Sequence, residues 1–215
     1  MNEALIHIGR RGRLVKFLAK KFAYNPEVLR AIGVVPRHVF VDVGLEHLAY
    51  EDRALPISEN QTISQPSTVA MQSHLLNLKK WDKVLEVGTG CGYQTAILAE
   101  MGGRVYSVER QKKLYLEAQR NLAKIGYDKP ILVLGDGYKG LPQFAPFDEI
   151  IVTCGADELP QELLLQLKVG GRMVIPIGKE EEKEMVVIER INESKFKKSS
   201  HGKCRFVPML SGINK

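Results

Sequence analysis

From residue 83 onward, short apolar runs alternate with amphipathic stretches. The runs at 84–87, 105–108, 131–134, 149–153 and 173–177 are rich in Val, Ile and Leu and end in turn residues, which predicts strands. The stretches at 94–101, 111–125 and 160–167 carry apolar residues at helical spacing, which predicts helices. After Gly178 a charged, solvated turn (179–184) leads to a run at 185–190, a Ser/Lys-rich connection, and a last run at 205–210. Two strands joined without a helix predict an antiparallel hairpin at one sheet edge. Residues 1–80 read differently, as helix and loop. Leu14, Phe17, Leu18 and Lys21 lie at helical spacing, and Asn25-Pro26 opens a second short helix at 27–32. Residues 36–42 read as a turn and a short extended piece, 50–65 show little periodicity, and 66–78 form a helix with Pro66 in its first turn.

Strand–helix alternation of this kind implies right-handed crossovers and a parallel sheet covered on both faces. The predicted fold is α/β: a Rossmann-like, doubly wound, mostly parallel sheet with a C-terminal antiparallel hairpin and an N-terminal helical extension. The extension spans residues 1–80, and the ligand-binding unit spans 81–215.

Composition changes this picture little. A chain of 215 residues, 44% hydrophobic and 26% charged, suits one sizeable α/β domain with an extension. No apolar run approaches the roughly 18 residues of a membrane span. The first apolar stretch is broken by Arg10, Arg11 and Arg13, so no signal peptide is expected. Cys91, Cys154 and Cys204 have neither disulfide nor zinc spacing, which points to a reducing, cytoplasmic setting and to no metal. The net charge is +6, and six basic residues stand against Glu3 alone in residues 1–24. A polyanion patch or a transit peptide would fit that excess. The solvated face of an amphipathic helix fits it better, because aromatic interleaving and a nucleic-acid motif are missing.

Candidate chemistry gathers around Gly88, Gly90 and Gly92, three glycines at every second position where the first strand of the alternating region ends. Bare backbone at a strand-to-helix turn lets a nucleotide-like ligand lie against the main chain. The spacing is not the dinucleotide fingerprint G-x-G-x-x-G. Glu86, Glu109 and Asp136 sit at three successive strand ends, where α/β ligands bind. Glu109 is placed to accept ribose hydroxyls, Asp136 to approach an adenine amino group, and Glu86 to meet an ammonium. Either Glu109 or Asp136 alone would read as a solvated strand end. Together with an acid-preceded glycine loop, they suit S-adenosylmethionine better than a pyrophosphate.

These residues resemble the class I S-adenosylmethionine-dependent methyltransferases. A second set is similar to the protein-L-isoaspartate O-methyltransferase family: Arg37-His38-Val39-Phe40-Val41, Leu55-Pro56-Ile57, Thr62-Ile63-Ser64-Gln65-Pro66, Gly135-Asp136-Gly137, Ala145-Pro146-Phe147-Asp148, the segment 166–172, and Arg205-Phe206-Val207-Pro208. Three positions depart from the family pattern. Asp42 stands where proline is frequent, Ser58 where glycine is frequent, and Cys91 where serine is common. Ser58 puts the local loop conformation in question, because serine tolerates positive φ less well than glycine.

The resemblance implies methyl transfer from S-adenosylmethionine to the free α-carboxylate of isoaspartyl residues in damaged proteins, which starts their repair. Such a carboxylate is already ionised at neutral pH, so no general base is needed. That agrees with a chain lacking any obvious nucleophile–base set. Transfer neutralises both charges, so exclusion of water favours it. The resemblance makes Ser64 the active-site residue, an orienting donor to the carboxylate. Thr62, Ile63, Ser64, Glu86, Gly88, Thr89, Gly90, Gly92, Glu109, Asp136 and Gly137 would hold the cofactor. Ile63, Ser64, Val207 and Pro208 would meet the substrate. By spacing alone, Ser64-Gln65-Pro66 is equally a helix entry with a serine cap, and Val207-Pro208 an edge-strand end. The implied partners are isoaspartyl peptides and proteins, with no nucleic acid, no membrane and a monomeric chain. Two rivals stay open: a class I methyltransferase for nucleic acid or a small molecule, and a non-enzymatic nucleotide-binding module. Residues 152–156 lack the amide and tandem prolines common in amino-methylating nucleic-acid enzymes, which lowers the first rival.

Overall fold

The structure is a computed structural model and describes residues 5–214. Glu3, counted in the N-terminal charge balance, lies outside them. The chain opens with α1 (Leu5–Lys21) and α2 (Pro26–Val34). The Asn25 side chain accepts from the Glu27 N–H at 2.9 Å and Pro26 starts α2, so the cap and the proline fix where the helix begins. Leu14 and Leu18 of α1 are buried, as their spacing predicts. Phe17 is not: it is 45% exposed, and the third buried position is Arg11, whose Nε donates to the Gly33 carbonyl at 2.8 Å. The expected turn at 36–42 is a 3-10 turn (Arg37–Phe40), followed by another at Val43–Leu48.

Residues 50–65, where no periodicity shows, contain a two-residue-per-strand hairpin, β1 (Leu55–Pro56) and β2 (Thr62–Ile63). Its turn places Glu59 and Asn60, not Ser58, at positive φ. Helix α3 (Pro66–Leu76) ends at Asn77, which adopts the left-handed conformation that terminates helices.

The alternating region then builds β3 (Lys83–Val87), α4 (Tyr93–Glu100), β4 (Arg104–Glu109), α5 (Lys112–Lys124), β5 (Ile131–Leu134), β6 (Phe147–Val152), α6 (Gln161–Gln166) and β7 (Leu167–Ile177). The strands run parallel in the order β5-β4-β3-β6-β7. Strand order reverses between β3 and β6, and such a switch point opens a crevice at the carboxyl ends of the two strands. Successive residues divide between the sheet's faces. Val84, Ile151 and Val174 join the N-terminal helices in one apolar cluster; Leu85, Ile150 and Met173 pack with α6 in the other. The extension thus shares a core with one face of the sheet.

The sheet is completed by β8 (Glu182–Arg190) and β9 (Phe196–Arg205), both antiparallel. Here the expected hairpin is corrected. The second edge strand lies at 196–205, in the Ser/Lys-rich connection, and residues 206–214 leave the sheet. Most of β9 is exposed, so no apolar alternation marks it; main-chain bonds to β8 hold it, and its lysines suit an open edge. The supposed solvated turn at 179–184 is also corrected. Lys183 is 5% exposed and its Nζ meets Asp157 at 3.1 Å and the Gly178 carbonyl.

Candidate active site

The crevice at the β3–β6 switch opens into a cavity of about 640 Å³, counting its mouth. Gly88, Gly90, Val108, Glu109, Gly137, Thr153 and Thr62 are among the residues that line it. Gly88 has φ +96°, and a Cβ there would sit 2.5 Å from the Thr153 hydroxyl. That hydroxyl donates to the Gly88 carbonyl at 2.5 Å, so the first residue after β6 clamps the turn after β3. Glu109 closes the loop from the neighbouring strand: its Oε2 accepts from the Gly90 N–H at 2.8 Å and its Oε1 from the Gln111 N–H at 2.9 Å. Each oxygen keeps further acceptor capacity toward the cavity.

Glu86, Gly92 and Asp136 do not line this cavity. Glu86 lies fully buried, one oxygen accepting from the Thr95 hydroxyl at 2.5 Å and the other without a partner. Burial pushes its carboxyl up to about 8, against the hydroxyls of Thr95 and Ser107. The bare face of Gly92 meets Leu122 and Ala118 of α5, so this glycine serves helix packing. Asp136 spends its oxygens on the Tyr138 N–H at 2.9 Å and the Gly212 N–H at 2.8 Å.

The Gly212 contact belongs to a strap of which the sequence resemblance marks only Val207 and Pro208 as site residues; its course across the strand ends is not foreseen there. Residues 206–214 cross the strand ends one after another. The Gly155 N–H donates to Val207 and the Met209 N–H to Gly155, both at 2.8 Å; the Lys112 N–H donates to Asn214 at 3.0 Å. Val207, Pro208, Met209 and Leu210 thereby form part of the cavity wall. Thr153, Arg110 and Gln111 were likewise unmarked, although position at a strand end was an available signal for all three.

Two smaller spaces adjoin. Ser64, Thr62 and Thr153 border both an inner cavity, shared with Ile63, Thr89 and Gly90, and an outer cleft reaching Val207. The serine-cap alternative fails on geometry. Gln65 is the α3 N-cap without a side-chain bond, and the helix's Ser67 N–H is satisfied at 2.8 Å by Asp52 from a preceding loop. Among the described residues the Ser64 hydroxyl makes no hydrogen bond. Its carbonyl accepts from Arg37 Nη2 at 2.8 Å.

A cofactor with a nucleoside and a cationic tail fits these residues. Gly88, Gly90 and Gly137 present bare main chain to the cavity; Glu109 offers acceptors at the strand end; the one basic residue of the lining, Arg110, spends its guanidinium on the Gly212 and Ser211 carbonyls. Among the described residues no cluster suited to a metal occurs and no helix is long and apolar enough to cross a membrane. Strand order, glycine turn and acidic strand end together define a class I S-adenosylmethionine-dependent methyltransferase.

Comparison with known proteins narrows the class. The family model of protein-L-isoaspartate (D-aspartate) O-methyltransferase matches residues 10–214. Protein-L-isoaspartate O-methyltransferases of Christiangramia forsetii and Flavobacterium psychrophilum are 52% and 50% identical over 214 residues, covering 100% of both chains in each case. A solved protein-L-isoaspartate O-methyltransferase superimposes with a TM-score of 0.85 at 32% identity, covering 94% of this chain and 67% of that one. The chain belongs to the protein-L-isoaspartate O-methyltransferase family. It is an enzyme that methylates isoaspartyl residues of damaged proteins, with S-adenosylmethionine as donor.

Proposed function

We propose that Ser64 receives the substrate α-carboxylate at the junction of the outer cleft and the cofactor cavity. The observation that carries this is its unengaged hydroxyl, half-buried where the two spaces meet. Gly88, Thr89, Gly90, Glu109 and Gly137 would hold the cofactor, with Thr62 and Ile63 between cofactor and substrate. Glu86, Gly92 and Asp136 would shape that site from behind. Val207 and Pro208 would flank the peptide. When bound, S-adenosylmethionine supplies an electrophilic methyl group on a sulfonium. The chain's own residues orient and desolvate: Ser64 donates to the carboxylate, and the strap and the β1–β2 hairpin keep water out. Orientation and desolvation suffice because the nucleophile arrives ionised. In this reading residues 1–80 are a substrate-site extension of the cofactor-binding unit 81–215. The enzyme acts in the cytoplasm as a monomer, away from nucleic acid and membranes; its free cysteines suit a reducing compartment.

Methyl transfer to an isoaspartyl peptide and to its normal aspartyl twin tests the reading. Label on the isoaspartyl peptide alone is expected. Ser64→Ala should lower kcat by roughly 10–100-fold with cofactor affinity intact. Equal labelling of both peptides, or cofactor binding lost with kcat preserved, would overturn it.

A further inference from the structure

Arg37 is fully buried. Its Nε donates to the Ala49 carbonyl at 2.9 Å and its Nη2 to the Ser64 carbonyl at 2.8 Å. The guanidinium lies over the Tyr93 ring, 4.8 Å from the centroid. Nη1 makes no well-formed hydrogen bond, and the Tyr93 hydroxyl, itself without another partner, is the polar group that interacts with the guanidinium. Among the described residues no carboxylate pairs with this cation; Tyr93, Cys91 and Tyr50 face it. Tyr93 and Cys91 line the same inner cavity as Ser64.

A buried charge without a counter-charge is costly, and it holds its place only where surrounding groups compensate it. Two carbonyls and one ring do so in part. The enzyme's reaction brings an anion to the next residue and then removes its charge. Methyl transfer forms a C–O bond to the carboxylate and breaks the donor's C–S bond, whose electrons stay on sulfur. Both partners end neutral, no proton moves, and Arg37 keeps its charge throughout.

We propose that Arg37 is the electrostatic counterpart of the substrate carboxylate, a positioning residue that fixes the Ser64 main chain and makes the acid, not its ester, the favoured occupant. The inference rests on Ser64 receiving the carboxylate. It goes beyond that reading in assigning substrate–product discrimination to a residue outside the cavity. The acid is attracted and the ester is not, so the product departs without competing for the site.

The test measures binding, with S-adenosylhomocysteine present, of an isoaspartyl peptide and of its α-carboxamide twin. Wild type is expected to prefer the acid by about tenfold or more. Arg37→Met and Arg37→Gln should shrink that preference at least about fivefold while amide binding and S-adenosylhomocysteine affinity hold. Arg37→Lys should keep the preference. A residue with a merely architectural role would weaken acid and amide alike. Neutral variants that keep the full preference overturn the proposal, and so does a wild type that binds both peptides equally. Should the neutral variants fail to fold, Arg37→Lys decides: a retained preference supports the charge, and a lost preference in a folded protein overturns it. Ser64→Ala separates the two readings. If it leaves transfer untouched, the Ser64 assignment fails; if it slows transfer while the Arg37 variants keep the preference, only the Arg37 proposal fails.

Discussion

Gly88 and Thr62 line the same cavity, and they are held there in different ways. Gly88 continues a central strand. Its N–H bonds the Val108 carbonyl at 2.9 Å and its carbonyl takes the Thr153 hydroxyl, so two neighbouring strands fix it. Thr62 belongs to a hairpin with strands of two residues each, far below the length that is stable alone. That hairpin is tied to α5 at its turn, by Ser58 to Glu117 at 2.8 Å and by Glu59 to Lys113 at 3.6 Å. The donor side of the site is therefore part of the sheet itself, and the substrate side is packed onto it through Leu55 and Ile63 and tied to α5 at its turn. Damage to the first should cost cofactor binding and stability together; damage to the second should show mainly in substrate handling.

The sharpest break is Gly88→Val. It demands a β-branched residue at φ +96° with a Cβ 2.5 Å from the Thr153 oxygen. Strain of about 1–3 kcal/mol adds to a clash that the Thr153 clamp cannot relieve. Cofactor affinity is expected to fall more than roughly 100-fold, with a lower Tm. Calorimetric titration with S-adenosylhomocysteine checks it; a change below about fivefold would show the turn to be more pliant than the sheet beside it.

A second handle on the donor side is pH. Glu86, buried below the loop, is pushed up to about 8 from an ordinary 4.5. The folded chain thus binds this proton more tightly than the unfolded chain. Its contribution to stability is whole below about pH 4.5 and is lost as pH rises to about 8. Glu149, also raised to about 8 by burial, acts in the same sense. Glu86→Gln should flatten the fall of unfolding free energy between pH 5 and 8, by up to about 1.4 kcal/mol per pH unit, as read from denaturant unfolding across that range. A profile parallel to wild type would mean that the carboxyl is already ionised in the fold.

Glu109→Gln removes charge while leaving shape. Charge-assisted bonds to the Gly90 and Gln111 N–H groups become neutral ones, and any ribose loses its anionic acceptor. Cofactor affinity should drop about tenfold, with kcat at saturating cofactor within about threefold. Loss concentrated in kcat would place Glu109 on the substrate side.

What was legible in the sequence follows the same division. The parallel strands announce themselves as short runs rich in Val, Ile and Leu; even β5, a half-exposed edge strand, agrees residue for residue with 131–134 because its four residues are all aliphatic. The glycine turn and Glu109 lie at strand ends that the pattern had already located. The substrate side carries no such signature. The β1–β2 hairpin is too short for periodicity, and β9 and the strap are held by main-chain bonds that any residue makes. Arg37 is the extreme case, a fully buried guanidinium that periodicity and composition do not distinguish from a surface arginine; only its place at the head of the family-like segment 37–41 marks it. Only resemblance pointed to Ser64, and only geometry freed it from the helix cap.

Ser58→Gly should have the smallest effect and tests the tether directly. Ser58 was suspect because glycine is frequent at this position in the family, yet the left-handed residues of the turn are Glu59 and Asn60. Glycine is therefore not required here by conformation, and the serine contributes a hydrogen bond to Glu117. Its loss, with the added freedom of glycine in the unfolded chain, costs about 1 kcal/mol locally. Because that cost falls on the hairpin, S-adenosylhomocysteine affinity should stay within about twofold, while KM for the isoaspartyl peptide rises roughly two- to fivefold. Ser58→Ala separates the two contributions: it removes the bond without loosening the backbone and should give the greater part of the KM change. An equal rise in cofactor Kd and peptide KM would mean that hairpin and sheet move as one body, and the distinction between the two walls would fall.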